Sequence, residues 1–227
     1  MSIRNVKFAS GEYYHIYNRG NSKQNIFNTK DDYFHFMGLL YACNSYNNLK
    51  TENLTRKNGL SIYDFERDKT LVSIGSYTLM PNHFHIIIME KETSGISKFM
   101  QKLSTAYSMY FNKKNKRSGS LFEGKFKSRH LNNNRYLKYS FSYLHLNPLK
   151  IINKKWKEEG IENINVALAF LNNYKYSSYL DFMGLKRAQN NILNIEDFPK
   201  YFPDKASFSK EIFEWIKYQD DSELGLA

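Results

Sequence analysis

The stretch LVSIGSYTLMPNHFHIIIME, residues 71–90, contains two apolar runs joined by Pro81-Asn82. Pro presets the φ angle of a turn and Asn tolerates turn conformations, so the pair marks a hairpin tip. Residues 71–80 are then one strand and residues 83–90 its antiparallel return. Alternate residues of a strand share a face. His83 and His85 therefore project together, while Phe84, Ile86 and Ile88 project to the other side.

Working outward, EYYHIYN (12–18) is rich in strand formers and ends at Arg19-Gly20-Asn21, a turn signal. Asn28 or Thr29 can cap a helix through residues 31–46, where Phe36, Leu39, Leu40 and Cys43 recur at helical spacing. Residues 47–69 are polar and aperiodic and read as a surface loop, with room for a short ordered piece. After the hairpin, Ser94 or Ser97 can start a helix through residue 114. Its apolar stripe is Ile96, Phe99, Met100, Leu103, Tyr107 and Tyr110. Residues 120–131 read as a strand or hairpin with Lys125, Lys127 and Arg129 at alternate positions. Residues 132–148 read as a helix that Pro148 ends.

This order, β-α-β-β-α-β and then a helix, predicts an α+β domain of the ferredoxin-like split βαβ type. Such a domain is an antiparallel sheet with helices on one face. Its expected extent is residues 1–150, with a mostly helical extension over 151–227. No internal repeat or low-complexity tract interrupts it.

The 227 residues carry 33 Lys plus Arg against 22 Asp plus Glu, a net charge of +11, and 16% aromatic residues. A basic, ring-rich chain suits an anionic polymer, because cations hold phosphates and rings stack on unpaired bases. A soluble basic protein with a solvated lysine surface is the plainer alternative. A hydrophobic fraction of 41% argues against disorder. The single cysteine, Cys43, excludes an intrachain disulfide and a Cys-based zinc site and fits a reducing, cytoplasmic setting. The first twenty residues lack the apolar core of a signal peptide, and no apolar run is long enough to predict a membrane span.

Two neutral imidazoles on one strand face make a rigid half-site for a divalent metal. Two half-buried histidines bonding backbone groups are the alternative. Tyr143 and Asn147, in YLHLN (143–147), are four apart on the expected helix and share a face. An Asn carbonyl is a hard ligand suited to Mg²⁺ or Mn²⁺. A tyrosine one turn away can attack a phosphorus held by the same ion. Packing is the commoner role for any one of 18 tyrosines, and Tyr139 lies on the same stripe. His15, His130 and His145 read more readily as structural histidines, and Tyr17 and Tyr107 as core rings.

Several segments together resemble the HUH single-tyrosine transposases, in their REP-associated tyrosine transposase branch. They are YHIYNRGN (14–21), SYTLMPNHFHIII (76–88), FMQKLSTAYSMYFN (99–112), GSLFEGKFKSR (119–129), YLHLNP (143–148) and YKYSSY (174–179). The resemblance implies a metal held by His83, His85 and Asn147, with Asn147 replacing the family's polar helix ligand. It implies Tyr143 as the nucleophile toward a phosphodiester of single-stranded DNA. The products would be a 5′-phosphotyrosine and a free 3′-hydroxyl. It also implies hairpin substrates, often repetitive extragenic palindromes, and a monomer or homodimer. Arg19, Lys125, Lys127 and Arg129 are the expected DNA contacts, with Lys113, Lys114, Lys116 and Arg117 as a second basic run. Two rival functions differ in kind: a non-catalytic nucleic-acid-binding module, and a metal-dependent hydrolase using activated water. The latter needs a general base, and Glu90 should point away from the two histidines.

Overall fold

A computed structural model describes residues 7–47, 61–67 and 69–217. Four strands, β1 (Tyr13–Arg19), β2 (Val72–Met80), β3 (His83–Glu90) and β4 (Lys127–His130), form one sheet in the order β2-β3-β1-β4. Every neighbouring pair is antiparallel. With helix α1 (Lys30–Ala42) between β1 and β2, and α2 (Gly95–Lys114) between β3 and β4, this is the expected ferredoxin-like arrangement.

The period-2 pattern of β3 divides the sheet into two faces. Phe84, Ile86 and Ile88, with Ile16 of β1, pack against Phe36, Leu39 and Leu40 of α1 and Phe99, Met100 and Leu103 of α2. Both helix starts follow from local chemistry. The Asp32 carboxylate accepts the N–H groups of Asn28 and Thr29, which makes Thr29 the cap of α1. Glu90 Oε2 accepts the Ile96 N–H at 2.7 Å at the start of α2. As expected, that carboxylate lies on the helix-covered face, away from the histidines.

The third helix, α3 (Asn134–Leu146), covers part of the opposite face. Asn133 caps it by accepting the Tyr136 N–H. Leu137, Phe141 and Leu144, spaced i, i+4, i+7, pack on Ile87 of β3. Thr78 of β2 donates to the Leu144 carbonyl at 2.9 Å and pins the C-terminal end of the helix. Ile87 is thus covered, while His83 and His85, nearer the hairpin tip, are left at an open cleft.

The chain beyond α3 returns to the sheet. Leu79 N–H donates to the Tyr176 carbonyl at 3.0 Å and Ser178 N–H to the Tyr77 carbonyl at 2.9 Å. The YKYSSY segment therefore lies along the free edge of β2 and occupies hydrogen-bonding groups that would otherwise be open. A second apolar cluster joins Leu146 to α5 (Ile164–Asn173), α6 (Tyr179–Phe182) and α7 (Lys205–Lys217); α4 (Trp156–Glu159) contributes Trp156.

One expectation needs correction. The strand or hairpin expected over residues 120–131 is ladder-paired only from Lys127 to His130. Gly124 adopts φ +117°, a conformation that L side chains rarely take, and the preceding segment runs beside the end of β1 through isolated contacts, a bridge from Phe122 to Gly20 and a Glu123 N–H to Arg19 carbonyl bond, and forms no ladder. Of the loop expected at 47–69, residues 48–60 and 68 lie outside the described residues, while Ile62–Asp64 form a single 3₁₀ turn.

Candidate nucleic-acid and metal site

The open end of the sheet face holds a cleft of about 570 Å³. Its floor is β1 and β3, through His15, Tyr17, His83 and His85. Tyr143 of α3 and Lys150 form one wall, and Arg19, Lys23, Lys127 and Arg129 supply a basic rim. No Asp or Glu lines the cleft among the described residues.

The cross-strand register explains the floor. Tyr17 pairs with His85 and Arg19 with His83 across β1 and β3, and Tyr17 pairs with Lys127 across β1 and β4. One row of side chains therefore runs Lys127–Tyr17–His85, and the next row on that face sets Arg19 beside His83.

The imidazoles are held in defined settings. His83 Nδ1 lies 2.6 Å from Asn82 Oδ1. The orientation of that amide is set by its own Nδ2, which donates to the Lys23 carbonyl. Since Oδ1 can only accept, His83 carries its proton on Nδ1 and keeps a lone pair on Nε2. His85 Nδ1 lies 2.8 Å from Nε2 of His15. Burial pulls His83 down to about 4, with help from the Lys150 and Arg19 charges. Burial, then His15, His83 and Lys150, holds His85 well below the usual histidine range. Both are therefore neutral at neutral pH, the state in which imidazole ligates metal.

Asn147 follows Tyr143 by one helical turn and continues the α3 winding at φ −53°, ψ −36°. It is 1% exposed, and neither its Oδ1 nor its Nδ2 has a hydrogen-bond partner among the described residues. A buried amide without partners is costly, and a ligand is one way of satisfying it. Among the described residues no cluster of three or more His, Cys, Asp or Glu is placed to hold a metal. The two neutral imidazoles have the chemistry to ligate a divalent ion, whereas Asn147, though buried and unpartnered among the described residues, is not among the residues that line the cleft.

Tyr143 is 8% exposed and its hydroxyl accepts from Lys150 Nζ at 3.4 Å. Its neighbour on the stripe, Tyr139, stacks on it with centroids 6.0 Å apart. Tyr139 does not line the cleft and instead meets Trp215 of α7 edge-on at 4.9 Å.

The expected cations divide. Lys127 and Arg129 reach the cleft, whereas Lys125, ahead of β4, is exposed and does not line it. Arg19 lines the cleft but forms a two-pronged ion pair with Glu123, including an Nη2–Oε1 contact of 2.8 Å. In the basic run after α2, Lys114 is tied to the buried Asp32 at 2.6 Å and Arg117 to Gln24 at 3.1 Å. His145 lies in the second apolar cluster, with Nε2 2.8 Å from Ser178 Oγ, and His130 pairs with Glu12. Several cleft residues escaped the sequence reading of the site: His15 reads as structural and Tyr17 as a core ring, Asn18, Lys23 and Asn82 lie in strand-end and turn positions with no assigned role, and Lys150 falls beyond the proline taken to end the helix.

A family model described as transposase IS200-like matches residues 9–147. No curated protein matches. Among solved structures, a REP-associated tyrosine transposase bound to a REP hairpin is similar at 12% identity, over 83% of this chain and 90% of that one, with a TM-score of 0.48. Among the described residues no helix is long and apolar enough to cross a membrane.

Proposed function

Because the chain belongs to the IS200-like transposase family, we propose that it nicks and rejoins single-stranded DNA through a transient bond to Tyr143. The observation that carries this reading is the shared cleft. It brings together a tyrosine hydroxyl, two neutral imidazoles and a rim of cations, with no lining carboxylate. Activated-water hydrolysis calls for a general base, and the cleft offers a nucleophilic hydroxyl in its place.

In this scheme Arg19, Lys127 and Arg129 hold backbone phosphates and leave the bases unread. Lys125, outside the cleft, can contact only flanking DNA. Tyr17 offers a ring face at the cleft floor for a base. His83 and His85, with the Asn147 amide, would hold Mg²⁺ or Mn²⁺, which when bound would supply charge neutralisation at the phosphoryl group. Tyr143 Oη attacks phosphorus, the bond from phosphorus to the 3′-oxygen breaks, and the phenol's proton is balanced by the one the 3′-oxygen gains. The products are a 5′-phosphotyrosine and a 3′-hydroxyl, at nearly constant bond energy. Reversal by another 3′-hydroxyl rejoins DNA without ATP. Hairpins with a short flanking single strand are the proposed substrates.

The test is covalent trapping. Labelled single-stranded hairpins from the DNA flanking the gene are mixed with protein and Mg²⁺ or Mn²⁺ and run on denaturing gels. The expected result is a protein–DNA band that disappears with EDTA and in Tyr143→Phe. A band that survives in Tyr143→Phe reassigns the nucleophile, with Tyr139 next to be tested. Hairpin binding with no covalent band from any flanking hairpin overturns the catalytic reading in favour of a binding module.

A further inference from the structure

His15 has no place in the chemistry above, yet it is only 7% exposed and lines the cleft floor. Its Nε2 lies 2.8 Å from His85 Nδ1, with the rings inclined by 29° and centroids 5.0 Å apart. The contact is a diagonal one. His15 is paired across the sheet with Ile87, and His85 with Tyr17, so the two imidazoles meet only because β1 and β3 hold this register. Tyr17, with its centroid 5.1 Å from that of His15 and 5.9 Å from that of His85, packs beside both rings.

The proton in this contact has two possible homes. A 2.8 Å contact between two ring nitrogens is a hydrogen bond with one donor, so one ring presents its N–H there and the other a lone pair. If His15 donates from Nε2, His85 must keep its proton on Nε2, the nitrogen needed for a metal. If His85 donates from Nδ1, its Nε2 lone pair is free. His83 shows the second arrangement already, because its acceptor, Asn82 Oδ1, cannot donate.

We infer that His15 is the positioning residue of the metal site: its Nε2 accepts the Nδ1 proton of His85 and so fixes the ligating tautomer. Asn82 does the same for His83, so each candidate ligand has its own acceptor behind it, from β1 in one case and from the hairpin tip in the other. Partners of this kind orient a ligand and raise its basicity, and their loss typically costs 10–100-fold in metal affinity. The inference rests on the metal site proposed above. It concerns the protein's own ring protons and does not require DNA.

The experiment measures Mn²⁺ binding by electron paramagnetic resonance on full-length protein, without DNA. His15→Phe keeps an aromatic ring on β1 but removes the acceptor, and it should weaken Mn²⁺ binding by roughly 10–100-fold. His15→Gln keeps an acceptor at the same reach and should recover most of the affinity. A long-range ¹H–¹⁵N spectrum of wild-type protein saturated with Mg²⁺ reads the tautomer directly, with Nε2 of His15 expected to be unprotonated. Wild-type affinity in His15→Phe, or a protonated Nε2 on His15, overturns the inference and leaves the proposed function standing. Folded wild-type protein that binds no Mn²⁺ removes the metal site itself, and both ideas fall together.

Discussion

Lys150 Nζ donates to the Tyr143 hydroxyl at 3.4 Å, and the Lys157 ammonium lies 4.0 Å from the centroid of the same ring. Both lysines follow residue 147, where the family match ends. In the scheme above, negative charge grows on the phenol oxygen whenever the protein–DNA bond forms or breaks. A cation already aimed there stabilises that charge without reorganising. Lys150→Met is expected to slow covalent-band formation at saturating hairpin by about 10–100-fold, below the loss from a fully buried oxyanion donor because the contact is long and the cleft open. Lys150→Arg should retain most of the rate, and hairpin binding should change little while Arg19, Lys127 and Arg129 remain. Parallel loss of binding and rate would instead mark Lys150 as a phosphate clamp. In the sequence, Lys150 was hidden by Pro148. The proline was read as the end of the helix, yet Asn147–Ile151 continue as a 3₁₀ turn with Pro148 in its first turn. That winding returns residue 150 to the tyrosine. His85 was legible from strand periodicity, whereas its bond to His15 depended on a cross-strand register that no single strand reveals.

At the scale of elements, the distance between α3 and the sheet decides whether Tyr143 faces the histidines. Gly75 controls that distance. It stands at the register shift in β2, between Ile74 and Ser76, and a Cβ there would lie 2.8 Å from the Phe141 ring and 2.8 Å from the Phe198 ring. Both rings belong to the cluster that seats α3 on Ile87, so neither can move aside freely. Gly75→Ala should cost about 1–3 kcal/mol of stability by overpacking, read as a lower urea midpoint. It should also reduce covalent-band formation more than Mn²⁺ binding to the two strand imidazoles. Equal stability in Gly75→Ala would mean that α3 has slack and that its seating does not depend on this contact. The hairpin, both core-facing helices and α3 were readable from hydrophobic period and caps. The short β4 was not, since the alternation in KFKSR (125–129) begins two residues before Lys127, where ladder pairing starts.

Across the whole molecule, the extension beyond residue 150 is coupled to the tyrosine helix through a buried histidine. His145 points from α3 into the second cluster, 4.9 Å from Phe182 and 5.2 Å from Phe208 between ring centroids, with Nε2 on Ser178 Oγ. Ser178 in turn accepts the Tyr77 N–H at 3.0 Å, so one imidazole links α3, the returning chain and the edge of β2. Burial pulls His145 down to about 3, against roughly 6.5 for a free histidine. The sign follows from proton counting. The unfolded chain takes up a proton below pH 6.5 and the folded chain does not, so this contribution is complete above 6.5 and is lost as pH falls toward 3. The maximum slope is about 1.4 kcal/mol per pH unit from this one group. His15, His35 and His83, each pulled down to about 4 chiefly by burial, add the same sense over a narrower window. Glu90 and Asp181, raised chiefly by burial, oppose it. A direct comparison with His145→Leu isolates the one group. The variant should lie close to wild type at pH 7.5, losing the serine bond but no ring charge. It should then gain on wild type by up to about 1.4 kcal/mol per pH unit in urea melts between pH 6 and 4. A stability difference that stays flat across that range would mean that His145 accepts a proton inside the fold, and that the joint between the tyrosine helix and the extension opens to water as the pH drops.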